Sequence, residues 1–291
     1  MKSFNVDDFL VKQPVSLRDT PTVVETEMTK KEMMGALKLL GKTLATMQNT
    51  MYAHNRYGVL ICLQGMDTSG KDSLIREVFS KFNPRGMVVH SFKKPSKKEL
   101  QHDFLWRHYR VLPERGKYAV FNRSHYENVL VTRVNPKLLL SENLPKIESV
   151  NDIHEGFWTQ RFKQIINFEE HIVQNGFIVF KFFLHLSKDE QRIRLLRRLE
   201  KNDKMWKFDL SDLSERKRWD DYMDAYEDVI NKTSMPHAPW FVIPADDKTF
   251  ARYMVAKILC ETMAQYTDIT KPKPNDAILE NLEVYKEKLS E

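Results

Sequence analysis

Cysteine is scarce: Cys62 and Cys260 are the whole complement of a 291-residue chain. Two thiols make neither a zinc cluster nor a disulfide framework. Cys62 falls inside the apolar run Val59–Leu63 and reads as core packing. A chain of this length buries enough core to need no such staple, and a reducing cytoplasm is the expected compartment. No stretch approaches the ~20 apolar residues of a membrane-spanning helix. The start, Met1-Lys2-Ser3-Phe4-Asn5-Val6-Asp7-Asp8, lacks the apolar centre of a signal peptide. Internal repeats, low-complexity tracts and recognised nucleic-acid modules are absent too. What is present is an ordinary globular composition, 42% hydrophobic and 30% charged.

The formal charge is +6, unevenly placed. Between Lys81 and Arg110 eight Lys/Arg stand against two acids, and between Ser187 and Arg218 eleven against seven. A basic run taken alone is usually a solvated face. Two of them in a chain that also carries a phosphate motif point to an anionic ligand.

Residues 1 to 28, with Pro14 and Pro21, carry no sustained periodicity and read as an extended arm. Thr29-Lys30-Lys31-Glu32 has the spacing of a capping box, so a helix begins there. Met33, Leu37, Leu40, Leu44, Met47 and Met51 give it one apolar stripe, expected to pack on the core. Short apolar runs follow at Val59–Leu63, Met87–Val89, Tyr118–Phe121, Phe177–Leu186 and Trp240–Ile243. Helical patterns occur near Asp72–Phe82, Lys97–Arg107, Trp158–Gln174, Lys188–Lys201 and Leu213–Asn231. This alternation predicts an α/β fold: a doubly wound, five-stranded parallel sheet with helices on both faces. Residues 29–270 are read as one domain, and 271–291 as a peripheral tail.

Gly65-Met66-Asp67-Thr68-Ser69-Gly70-Lys71 matches G-x-x-x-x-G-K between a strand and a helix, the context that motif requires. Glycines let the backbone curl so that several N–H groups face one point, and the helix N-terminus adds partial positive charge. Gly65, Thr68, Ser69, Gly70 and Lys71 are therefore candidate phosphate contacts. The position after the lysine, normally the Ser or Thr that binds Mg²⁺, holds Asp72. Asp67 is unusual inside a phosphate loop. Mg²⁺ favours one or two carboxylates together with phosphate oxygens, so Asp67 is the candidate metal ligand. If Asp72 merely caps the following helix, a serine could substitute there.

A second constellation, Phe121-Asn122-Arg123-Ser124-His125-Tyr126-Glu127, starts at the end of an expected strand. In a doubly wound sheet the carboxyl ends of strands line the ligand crevice. Asn122 takes the place of the usual Walker B acid, and Arg123 suits bidentate phosphate contact. His125 reads as structural, because a phosphate acceptor is already ionised at neutral pH.

Together with Phe104-Leu105-Trp106-Arg107, Val129-Leu130-Val131-Thr132-Arg133-Val134, Met205-Trp206-Lys207-Phe208, Arg218-Trp219-Asp220-Asp221-Tyr222 and Ala238-Pro239-Trp240, these motifs resemble the polyphosphate kinase 2 family over roughly residues 30 to 265. The resemblance implies a P-loop kinase core under a helical lid at about 192–218. It implies Mg²⁺-dependent, reversible transfer between inorganic polyphosphate and nucleoside mono- and diphosphates, and a homo-oligomer. An asparagine at Asn122 and an acid at Glu127 resemble class III members, which accept both AMP and ADP; GMP and GDP stay open as acceptors. Catalytic roles then fall on Asp67, Lys71 and Arg123. Nucleotide or phosphate contacts fall on Asp72, Asn122, Glu127, Arg133, Arg194, Arg198 and Asp212.

Arg194, Arg198 and Lys201 share one helical face, where three cations repel unless an anion binds. Lys93, Lys94, Lys97 and Lys98 are spaced to track a chain of phosphates. Neither nucleic acid nor membrane is an expected partner. Two rivals stand beside this reading: an ATP-dependent nucleoside monophosphate kinase and a non-catalytic nucleic-acid-binding protein.

Overall fold

The computed structural model describes residues 4–201, 205–206 and 208–290. Lys207 of the Met205–Phe208 motif, and residues 202–204 of the expected lid, lie outside the described residues. Five strands form one sheet: β1 (Gly58–Gln64), β2 (Met87–Ser91), β3 (Tyr118–Asn122), β4 (Phe177–His185) and β5 (Trp240–Pro244). All pairings are parallel, in the order β2-β3-β1-β4-β5. Each expected strand is present.

Strand residues alternate between the two faces, and β1 sorts them cleanly. Val59, Ile61 and Leu63 join a core built with α1 (Lys30–His54), α2 (Lys71–Val78) and the long helix Lys248–Met263. Leu60 and Cys62 join Phe168 and Ile172 of α5 (Glu155–Gln174) on the other face. A third cluster beside it gathers α4 (Glu127–Val134), the N-terminal part of α5 and the helix Trp219–Thr233 against Phe183, Trp240 and Val242. The stripe on α1 packs into the first core: Met33, Leu44 and Met51 are buried, with Leu37, Leu40 and Met47 against them. Its capping box forms, with Thr29 Oγ1 accepting from Glu32 N and the Glu32 carboxylate accepting from Thr29 N.

The N-terminal arm crosses the outer edge of β5. Val11 N donates to Trp240 O at 2.9 Å, and Leu10 bridges Phe241 antiparallel. Leu17 N donates to Glu227 at 2.8 Å, and Asn231 pairs with both backbone groups of Val15. Phe9, Val11 and Leu17 are buried. The arm thereby covers an edge that would otherwise offer unpaired backbone groups.

Three helices differ from expectation. Lys97–Arg107 is not one helix but a 3-10 turn, Glu99–Gln101, and α3 (Trp106–Tyr109). Between them the Asp103 carboxylate accepts from Leu105 N at 2.9 Å, a local bond that competes with continuing helix. Leu213–Asn231 is two helices, Leu210–Lys217 and Trp219–Thr233, broken at Arg218, whose guanidinium is tethered to Val134 O and Asn135. Asp72–Phe82 is helical only to Val78. Helices α4 and Lys248–Met263 carry no expectation from the sequence. Among the described residues no helix is long and apolar enough to cross a membrane.

Candidate active site

The loop between β1 and α2 curls as the motif requires. Gly65 sits at φ +148°, and a Cβ there would meet Leu184 O at 2.8 Å and Ser69 Oγ at 2.9 Å, so only glycine fits. Thr68 takes φ +65°, a left-handed conformation rare outside glycine, and its Oγ1 is buried with no hydrogen-bond partner among the described residues. The loop then opens α2 at Lys71, whose buried Nζ donates to Gly65 O at 2.6 Å and reaches Met66 O at 3.3 Å. Burial, helped by the charge of Arg123, pushes the Lys71 ammonium down to about 8.

Register places the end of β3 beside the loop: Asn122 pairs with Leu63, the residue two before Gly65. Arg123 follows at φ +63°, its N–H donating to Leu63 O at 3.1 Å. That turn carries its guanidinium to Asp67 Oδ1 at 2.6 Å and Glu127 Oε2 at 3.4 Å. Glu127 first, then Asp67, hold Arg123 above the ordinary guanidinium range. Beside this pair Asn122 Nδ2 donates to Asp72 Oδ1 at 2.6 Å. Two contacts therefore join the loop to the end of β3. Asp72 does not cap α2: Gly70 occupies the N-cap, which has no side-chain cap bond, and the Asp72 carboxylate turns to Asn122.

Arg194 departs from its expected place. Its Nε pairs with Glu190 at 2.7 Å, one terminal nitrogen donates to Thr68 O and Ser69 O, and the other to Ala245 O and Asp246 O. All five N–H donors of a guanidinium are thus used, leaving none for a phosphate; Arg194 braces the loop from behind. Gln191, one turn earlier on α6 (Lys188–Glu200), adds a bond to Asp67 O at 3.2 Å. Arg198 instead meets Asp212 at 3.1 Å. Burial chiefly, and then the charge of Asp67, raises the Asp212 carboxyl above its usual value.

In front of Arg123 and Glu127 lies a cavity of about 280 Å³. Lys93, Lys94 and Arg107 line it with Phe92, Leu100, Val131 and Leu138. Lys97 and Lys98 are exposed and do not line it. Arg133 points away, pairing with Asp228 and lining a separate hollow of about 420 Å³ with Arg218.

The sequence reading missed residues that approach this site through the fold. Tyr226 is buried against the Arg123–Glu127 pair, and burial and then Glu127 raise its phenol. Gln64, Glu169 and Lys181 lie beneath Arg123–Glu127. Only Lys181 left a signal, a charge in an otherwise apolar strand.

A β1–loop–α2 phosphate cradle, facing an arginine at the end of a neighbouring strand, is a phosphoryl-transfer arrangement. The family model for polyphosphate kinase 2 (PPK2) matches residues 27–271. The chain belongs to the polyphosphate kinase 2 family. It is 49% identical over 252 residues to an ADP-polyphosphate phosphotransferase of Rhodopseudomonas palustris, covering 86% of each chain. It is 42% identical over 234 residues to an AMP/ADP-polyphosphate phosphotransferase of Meiothermus ruber, covering 80% of this chain and 82% of that one. A crystal structure of polyphosphate kinase 2 from Arthrobacter aurescens TC1 superposes with a TM-score of 0.86 at 32% identity, over 96% of both chains. This PPK2 chain is a phosphotransferase on the P-loop kinase fold.

Proposed function

We propose that this PPK2 enzyme transfers phosphoryl groups between inorganic polyphosphate and AMP or ADP, reversibly, at the junction of the phosphate loop and the end of β3. One observation carries the placement: Lys71, Asp67 and Arg123 converge there, with Asp67 and Arg123 2.6 Å apart. An acceptor phosphate oxygen attacks the terminal phosphorus of the donor; one P–O bond forms, one breaks, and the shortened chain leaves. Loop N–H groups and Lys71 hold donor phosphates, and Arg123 neutralises charge as it builds. The buried Thr68 Oγ1, without a partner among the described residues, supports a phosphate in the cradle.

The donor set suits Mg²⁺. Among the described residues no three His, Cys, Asp or Glu side chains gather to hold a metal by themselves. Asp67 and Asp72 each present a carboxylate at the mouth of the loop, paired with Arg123 and Asn122. One or two carboxylates completed by phosphate oxygens and water is the Mg²⁺ pattern, and Asp67 is the anchor in this reading. Held at Asp67, Mg²⁺ would supply positive charge to offset that of the phosphates.

The mixed lining of the front cavity, apolar side chains with Lys93, Lys94 and Arg123, supports an acceptor nucleotide there rather than a bare phosphate chain. Glu127 at its floor is the residue by which AMP and ADP are both accommodated. The segment about 192–218, with Arg198 and Asp212, serves as the lid that excludes water. A homo-oligomer and a cytoplasmic location complete the reading. Incubation with polyphosphate, Mg²⁺ and either AMP or ADP, with ATP as the competing donor, tests it. Polyphosphate-dependent product from both acceptors is expected. Product from ATP alone would make it a nucleoside monophosphate kinase, and one acceptor alone would remove the role given to Glu127. Binding of RNA or DNA that survives excess polyphosphate would favour the nucleic-acid rival.

A further inference from the structure

Beneath the site, the segment 123–127 sends its side chains to opposite environments. Arg123 and Glu127 face the cavity. His125 and Tyr126, between them, are fully buried and turn to Glu169 of α5: His125 Nε2 lies 3.1 Å from Glu169 Oε1, and Tyr126 OH donates to the same oxygen at 2.8 Å. Lys181 enters from β4. Its Nζ donates to Glu169 Oε2 at 2.7 Å, Tyr126 OH at 2.8 Å and Thr233 O at 2.7 Å, which uses all three ammonium protons. Lys181 and Glu169 are both 0% exposed. The ammonium also lies 5.3 Å from the ring centres of Tyr126 and Trp240. From β1, Gln64 donates to Ser124 Oγ at 3.1 Å.

A buried ion pair adds little net stability over an apolar pair of the same volume. This one occupies a strand that is otherwise Phe, Ile, Val and Leu up to His185. What it does have is direction: Lys181 donates to Tyr126 OH, and one Glu169 oxygen engages both His125 and Tyr126, two of the three residues between Arg123 and Glu127. Arg123 also holds a left-handed backbone, φ +63°, which persists only where its surroundings over-determine it. We infer that Glu169 and Lys181 are positioning residues for phosphoryl transfer, fixing through His125 and Tyr126 the backbone turn that sets Arg123 against Asp67. The inference rests on the transfer reaction and the Arg123 role proposed above.

The test is a kinetic cycle. Lys181→Met and Glu169→Met are combined, so that neither charge stays buried alone, and the pair is made in the parent and in an Arg123→Ala background. Thermal midpoints confirm folding before kcat and KM are measured with polyphosphate and ADP. In the parent background kcat falls about 100-fold, as for a catalytic group moved by an ångström, while KM for ADP changes little. In the Arg123→Ala background the same pair has almost no further effect, because nothing remains to be positioned. A purely structural role would lower kcat by the same factor in both backgrounds, and that result overturns the inference, as does full kcat in the folded pair variant. Should the pair variant fail to fold, Tyr126→Phe, which deletes one bridging hydroxyl, is run through the same cycle and read the same way. A parent enzyme that transfers nothing from polyphosphate overturns the function itself; an active parent with equal factors overturns only the positioning role.

Discussion

Two ion pairs hold the segment after β3, at nearly equal distances and in opposite surroundings. Arg123 meets Asp67 at 2.6 Å with side chains 40% and 30% exposed; Lys181 meets Glu169 at 2.7 Å with both at 0%. Water screens the first pair, so in the proposed reaction Arg123 can leave Asp67 for a phosphate. The second has no solvent to fall back on, so neither partner can leave without stranding the other. One pair is therefore suited to exchange partners during a reaction, and the other to stay fixed while it does. Segment 123–127 thus carries a half-exposed ion pair on one side and rests on a fully buried one on the other.

Removing one partner from each pair should separate them most clearly. Lys181→Met strands the Glu169 carboxylate and should cost about 3–5 kcal/mol of stability, read from urea midpoints at constant slope. A loss below about 1 kcal/mol would mean that the lower pair behaves like the upper one. Asp67→Asn should change stability by less than about 1 kcal/mol yet lower turnover about 100-fold and raise the Mg²⁺ concentration needed for half-maximal rate. An unchanged magnesium titration for Asp67→Asn, beside a shifted one for Asp72→Ser, would move the metal anchor to Asp72. Asn122→Ala removes only the partner that orients Asp72, and a loss of about tenfold in magnesium affinity is expected; a loss equal to that of Asp67→Asn would make the two loop-to-strand contacts equivalent.

The smallest expected effect is on pH. Burial and Arg123 set the Lys71 ammonium at about 8, below its unfolded value. Its charge therefore costs stability below pH 8, and that cost is relieved as pH rises from 8 towards about 10.4. Phosphate capture runs the other way, because a neutral amine attracts no phosphate. The kcat/KM for polyphosphate, which reports the free enzyme, should be flat below pH 8 and decline above it. Lys248 also lies near 8, lowered by burial and by Arg194 and Arg197. Lys248→Met should leave the decline in place, and its disappearance there would transfer the titration to Lys248.

Much of the fold was legible because its signals are local. Five apolar runs became five strands, and the Thr29 capping box opened α1 where its spacing said. The helix Lys248–Met263 was illegible for a physical reason. Phe250, Ala251, Tyr253, Met254, Val255, Ala256, Ile258, Leu259, Cys260 and Met263 bury nearly its whole circumference, so it has no polar face to set a period. Leu213–Asn231 read as continuous because its break depends on a tether from Arg218 to residues 134 and 135, 83 or more positions away.

The sequence by itself determined the phosphate loop, the five strands and the family, since glycines, a lysine, apolar runs and a strand–helix junction act through neighbours in the chain. Tertiary structure alone decided the partners of the charges. It turned Arg194 from an expected phosphate ligand into a brace, because carbonyls at 68, 69, 245 and 246 surround it. It separated Arg133 from Arg123, and it gathered Glu169, Lys181 and His125 under the site. A side chain's charge is written in the sequence; the dielectric around it, and the groups that satisfy it, exist only once distant segments have packed.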